Sequence, residues 1–229
     1  MSTGSIMVFA RAPLPGAAKT RLIPALGADG AARLHAFLVE RTLTRVCEAA
    51  PGNTTLWGTP SIQHPFFQYC RNRYSIDLHE QQGNDLGARM QHAFSSALQR
   101  RSWAILLGTD CPDLDSSHLA QAISAMQDGS EAVVGPAFDG GYYLLGLRQP
   151  APTLFENMPW GSSEVLGLTL QRLHSLGRQP VYMPWRQDLD RPSDLQCFDD
   201  LPEWARQGNA HFTATDSTAL DSTDSTAPA

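Results

Sequence analysis

Seven short apolar runs rich in β-branched and aromatic residues punctuate the chain: SIMVFA, TTLWG, SIDLHE, WAILLG, EAVVGP, YYLLGL and PVYMPW. Each has the length and composition of a strand. Segments with helical spacing lie between them. Leu86, Met90, Ala93, Phe94, Ala97 and Leu98 share one face of a helix, and Leu119, Ala122, Ile123 and Met126 share another, after the capping residues Asp115, Ser116 and Ser117. A third helix is predicted from Ser162 or Ser163 through Leu166, Leu170 and Leu173 to a stop at Gly177, and a fourth from Gly30 to Ala49. Strands alternating with such helices predict right-handed crossovers and a mostly parallel sheet covered on both faces, a three-layer α/β/α sandwich. Ligands of such sheets bind beyond the carboxyl ends of the strands.

The composition bounds this picture. With 229 residues, 42% hydrophobic and 17% charged, the chain can bury the core of one domain, expected over 1–207. The closing stretch 208–229 is built from Ser, Thr, Asp and Ala, too little apolar bulk to offset its ordering entropy, and is predicted to be a disordered tail. Half of the net charge of -6 comes from Asp216, Asp221 and Asp224 in that tail. The body therefore lacks the broad cationic surface of a nucleic-acid binder. Cys47, Cys70, Cys111 and Cys197 have no zinc spacing and read as free thiols of a reducing compartment. The opening apolar run follows no cationic segment and is too short for a signal peptide or a membrane span, so a soluble, cytoplasmic protein is expected. His35, His64, His79, His92, His118 and His174 follow no triad or metal spacing and are expected mostly on the surface or on helix faces. With no Gly-x-Ser-x-Gly elbow either, hydrolase chemistry has no support.

The loop after the first strand, ARAPLPGAAKTRL, brings Arg11, Lys19 and Arg21 close together, with Gly16 to let backbone N–H groups approach. Polyphosphate is the ligand such a loop suits, although neither GxxxxGK[ST] nor GxGxxG is present. Asp110 follows a fully apolar strand, and Asp188 and Asp190 follow another, with the alternation placing that pair on one side of the chain. Magnesium or manganese takes hard oxygen ligands, commonly one or two carboxylates completed by substrate phosphates. The same acids could instead cap a turn at Asp110 and a helix at Asp190 and Ser193. Asp139, Gly140 and Gly141 form a hairpin signal that also lets an acceptor approach closely, with Asp139 available as base or ligand.

Taken in order, PLPGAAKTRL, GNDLGARM, LLGTDCPDL, GPAFDGGYYLLGL, WGSSEV and DLDRPSDL resemble a family of small bacterial transferases first catalogued as a domain of unknown function. That family belongs to the nucleotide-diphospho-sugar transferase superfamily with the GT-A fold, and its members are often labelled glycosyltransferases, including those of arsenosugar biosynthesis. The resemblance implies that Arg11, Gly16, Lys19 and Arg21 line a phosphate-binding loop and that Asp110 and Asp190 hold Mg2+ or Mn2+. Asp113, which follows Cys-Pro where a second acid of a DxD motif would stand, is a further candidate ligand. Asn84, Asp85 and Arg89 would contact base or ribose, or Asn84 or Asp85 would cap the helix that follows. Gly140, Gly141, Trp160 and Ser162 would flank the acceptor, near Ser163 and Glu164, or the WGSSEV stretch would cap a helix with its indole packed. Asp110, Asp139 and Lys19 would be the catalytic groups.

Three functions follow from these readings. The first is glycosyl transfer from a nucleotide sugar to a small-molecule acceptor, and the second is nucleotidyl transfer from a nucleoside triphosphate with release of pyrophosphate. The third is a nucleotide-binding module without turnover. The assembly state stays open, with a homodimer allowed.

Overall fold

The computed structural model describes residues 4–207, so the tail expected to be disordered lies outside the described residues. All seven apolar runs form strands: β1 Gly4–Arg11, β2 Thr54–Thr59, β3 Asp77–Glu80, β4 Trp103–Leu107, β5 Ala132–Pro136, β6 Tyr142–Leu147 and β7 Pro180–Tyr182. They make one sheet in the order β3-β2-β1-β4-β6-β5-β7. Neighbours run parallel except at β6, which is antiparallel to both β4 and β5. That reversal is set by the Asp139-Gly140-Gly141 turn: Ala137 and Gly141 pair across it, and Gly140 takes φ +91°.

The period of two along β1 divides its side chains between two cores. Ile6 and Val8 pack with Val39, Leu43 and Val46 of helix α1 (Ile23–Ala49), Phe67 and Cys70 of α2 (Pro65–Tyr74), and Leu119, Ala122 and Met126 of α4 (Ser116–Gln127). Met7 and Phe9 face the opposite layer, with Met90, Ala93 and Phe94 of α3 (Leu86–Leu98) and Leu166 and Leu173 of α5 (Val165–Ser175). The α/β/α sandwich is thus the observed architecture.

Two departures from the sequence pattern have local causes. Helix α1 starts at Ile23, with Pro24 in its first turn, and not at Gly30. Gly27 at φ 71°, ψ 170° interrupts the helical backbone and kinks the element there. Helix α2 was not anticipated: its run PFFQYCRNRY buries only Phe67 and Cys70, too narrow a stripe to read as a periodic face. Its start is marked instead by His64, whose side chain accepts the Phe66 N–H, and by Pro65 in the first turn.

Residues Thr20–Ala49 are long and apolar enough to cross a membrane by length and composition alone. Burial of Leu34, Leu38, Val39, Leu43 and Val46 inside the fold accounts for that apolar content. A third core joins Leu22, Leu26, Leu34 and Leu38 to Leu189, Leu195, Phe198 and Leu201. Each fully buried Leu contributes about 1.5–3 kcal/mol, and this cluster fixes the chain after β7 against the start of α1.

Candidate functional site

A cavity of about 810 Å³ opens at the carboxyl ends of the parallel strands. Its wall draws on the loop after β1, on Gly108 to Asp110 after β4, on Asp139 and Gly141 before β6, and on Asp188 and Asp190 after β7. Opposite stand Asn84, Asp85 and Arg89 around the start of α3, with Trp160, Gly161 and Ser162 ahead of α5.

Lys19 is the hub. Its side chain is only 4% exposed, and its ammonium lies 2.5 Å from Asp110 Oδ1, 2.8 Å from Asp190 Oδ1 and 2.6 Å from the Leu189 carbonyl. The Leu189 N–H in turn donates to the Asp110 carbonyl at 2.8 Å. Side chain and backbone therefore tie three remote segments into one knot. Burial opposes the charge on Lys19, but the Asp110 and Asp190 carboxylates outweigh it and raise its pKa. Desolvation likewise works against ionised Asp110, yet Lys19 prevails and holds that carboxyl below its ordinary value. Arg21 adds a looser, exposed contact, 3.4 Å from Asp190 Oδ2.

Two further acids face the cavity. Asp139 is held by the Gly141 N–H at 2.8 Å. Asp188 accepts the Cys111 thiol at 2.8 Å, and its pKa is pushed up to about 7, first by burial and then by the neighbouring Asp110, Asp139 and Asp190 charges. Burial and the Asp188 carboxylate raise Cys111 well above the usual thiol range. Leu189 between Asp188 and Asp190 is fully buried, so the two acids do share a side as the alternation predicts.

Several expectations need adjustment. Gly16 adopts φ +79° in the turn but does not line the cavity; Ala17 and Ala18 do. Gly140 does not line it either. A Cβ there would stand 2.4 Å from the Ser163 carbonyl, so this glycine serves close backbone packing and not acceptor contact. Asp113 turns away to Arg186, 3.5 Å from its guanidinium. Asp85 caps α3, accepting the Ala88 N–H at 2.7 Å, while its residue still borders the cavity. The turn after Asp190 is capped by Asp194, which accepts the Asp190 and Arg191 N–H groups, and not by Asp190 or Ser193.

Sequence reasoning missed His35, which is 6% exposed, lines the cavity and bonds the Arg11 carbonyl at 2.8 Å. Burial lowers its pKa, against the pull of Asp110. It also missed Gln81, whose amide donates to the Ala10 and Trp57 carbonyls at the ends of β1 and β2, and Tyr143, whose hydroxyl donates to the Pro184 carbonyl at 3.1 Å. No local motif marks any of the three.

Among the described residues no group of three or more His, Cys, Asp or Glu side chains is arrayed as a metal cage. Two carboxylates sharing one ammonium at a half-open wall suit a different arrangement. Hard oxygen donors with few protein ligands match a magnesium or manganese ion completed by water and phosphate.

Comparison with curated proteins finds no match. A protein from Desulfovibrio desulfuricans G20, provisionally named a nucleotide-diphospho-sugar transferase, is 30% identical in sequence with a TM-score of 0.75, covering 84% of each chain. The CMP:2-keto-3-deoxy-manno-octonic acid synthetase complexed with CTP is 12% identical at TM-score 0.54, covering 86% of this chain and 96% of that one. The glucosyl-3-phosphoglycerate synthase of Mycobacterium tuberculosis, in complex with Mn2+, UDP and glucosyl-3-phosphoglycerate, is 10% identical at TM-score 0.50, covering 90% and 77%. At the last two identities the likeness is one of fold. Residues 42–162 match the model of an uncharacterized protein conserved in bacteria (DUF2064), and the chain belongs to that family.

Proposed function

We propose that this protein is a metal-dependent transferase that takes a nucleotide-activated donor, and that it moves a glycosyl group from a nucleotide-diphospho-sugar to a small-molecule acceptor. The observation that carries the proposal is the meeting of Lys19, Asp110 and Asp190, from three remote segments, in one cavity. The relative from Desulfovibrio supports the choice of donor.

Arg11, Lys19 and Arg21 bind the diphosphate, Arg as a planar fork and Lys as a point charge. Asp110 and Asp190 would hold Mg2+ or Mn2+, which supplies Lewis-acid neutralisation of the departing phosphate charge when bound. Asn84, Asp85 and Arg89 stand on the side left for the nucleoside, and Trp160 and Ser162 wall the acceptor. Asp139, anchored by the Gly141 N–H, is placed to take the acceptor's proton. The four free thiols agree with a reducing cytoplasm.

One observation favours a second reading. The gathering of Arg11, Lys19 and Arg21 around a single loop also suits the triphosphate of a nucleotidyltransferase. Turnover with MnCl2 separates the two: glycosyl transfer releases a nucleoside diphosphate from a nucleotide sugar, and nucleotidyl transfer releases pyrophosphate from a triphosphate. If no nucleotide of either class is bound or consumed, the transferase reading fails.

A further inference from the structure

Lys19 has no donor to spare. An ammonium offers three N–H groups, and here they reach Asp110, Asp190 and the Leu189 carbonyl. Phosphate oxygens cannot be bound by the same group until one of these contacts is released. Lys19 takes one oxygen of each carboxylate and Arg21 approaches the second oxygen of Asp190, so two positive charges already stand against these two negative ones. A divalent ion arriving alone would have to compete with the ammonium for Asp110 and Asp190.

We propose that Lys19 is a latch. In the nucleotide-free protein its ammonium stands in for the divalent ion between Asp110 and Asp190, and the donor's polyphosphate draws it away so that the carboxylates become free to hold that ion. The inference rests on the transferase reading of the cavity and adds the order in which its parts engage.

Two structural features make the latch movable. Lys19 sits at φ 47°, ψ 43°, a left-handed backbone uncommon for a side-chain-bearing residue, and no side chain caps the turn that follows it. The carboxylates keep 48% and 37% of their side chains exposed while the lysine is buried, so a divalent ion has access to them from the cavity once the ammonium moves. Because binding couplings are reciprocal, nucleotide and ion should strengthen one another by the same factor.

The sign of one substitution separates a latch from a lysine that only contacts phosphate. Free Mn2+ is followed by electron paramagnetic resonance during titration with MnCl2 alone, for the native protein and for Lys19→Met. The latch requires Lys19→Met to bind Mn2+ about tenfold more tightly than native protein, a size typical of coupling between sites, with Arg21→Ala, whose contact is exposed and longer, changing it less. Equal or weaker Mn2+ binding by Lys19→Met overturns the proposal. Should Lys19→Met not fold, Lys19→Gln serves for the same comparison, and the native protein gives an independent check: Mn2+ affinity that is the same with and without a saturating nucleoside diphosphate also overturns it. The ion-only arm needs no nucleotide, so it decides whether the ammonium holds the ion's place even if every nucleotide fails to bind and the transferase reading is lost.

Discussion

The two sides of the cavity are built by different forces. On one, Lys19, Asp110 and Asp190 meet through charge, with side chains that end in a half-open wall. Behind the other, glycines that do not themselves line the cavity let elements close on one another: Gly140 leaves no room for a Cβ against Ser163, and Gly87 in the first turn of α3 leaves none against the Phe155 carbonyl and the Trp160 indole. The difference teaches where each kind of change will register. Altered charge on the first side should remove function and spare the fold, and added volume on the second should remove the fold and take function with it.

The largest expected effect tests the first half. Asp110→Asn keeps an acceptor for Lys19 but loses the negative charge, and turnover should fall by about 10²- to 10³-fold, as when one preorganised electrostatic contact is removed. Lys19 is buried but keeps Asp190 and the Leu189 carbonyl, so the lost ion pair should cost the fold about 1–2 kcal/mol, less than the loss in turnover. Steady-state kinetics beside thermal unfolding checks both numbers. A variant that unfolds before it loses activity would merge the two sides into one.

Gly140→Ala tests the second half. A methyl group 2.4 Å from the Ser163 carbonyl, on a backbone at φ +91°, should cost about 2 kcal/mol and lower the unfolding temperature by about 4–8 °C. Ser163→Ala should not rescue it, since the clashing atoms are backbone. Unchanged unfolding would mean that the turn and the α5 approach are not held together as described.

The same contrast explains what could be read in advance. The acids and cations were legible because each stands just past an apolar run, and an α/β sheet gathers strand ends on one edge. The reversed strand β6 was legible from Asp139-Gly140-Gly141 between two such runs. What Gly140 touches was not, because the Ser163 backbone reaches it from a segment whose position only the assembled sheet decides. His35 lies on an ordinary amphipathic stripe, and only the fold brings the Arg11 carbonyl to its ring. Helix α2 stayed hidden because two buried residues are too few to show a period.

A smaller effect is expected at Arg21, which belongs to the charged side yet is 63% exposed. Its ion pair with Asp190 should matter little to the fold, within about 0.5 kcal/mol when Arg21→Ala is unfolded by denaturant. If the side chain turns to phosphate, the same variant should bind nucleotide about tenfold more weakly, the worth of one charge-assisted contact. Arg89→Ala offers the counterpart across the cavity, where the guanidinium already bonds the Gly83 carbonyl. Equal losses at both positions would erase the distinction between a phosphate side and a nucleoside side.

The smallest effect lies in the pH dependence of the metal-free protein. Folding raises the Asp188 carboxyl from 3.8 to about 7, so the folded state holds this proton where the unfolded chain has released it. The folded state then binds more protons between those values, and this residue's contribution to stability falls as pH rises through that window and levels off above it. Asp188→Asn still accepts the Cys111 thiol but cannot ionise. In EDTA it should lack this part of the slope and be about 1 kcal/mol more stable than native protein at pH 8, a figure kept near one pKa unit because the site is partly exposed. Denaturant unfolding at pH 5 and pH 8 measures it. Parallel curves for the two proteins would mean that neither burial nor the neighbouring acids hold a proton on Asp188 in the folded state.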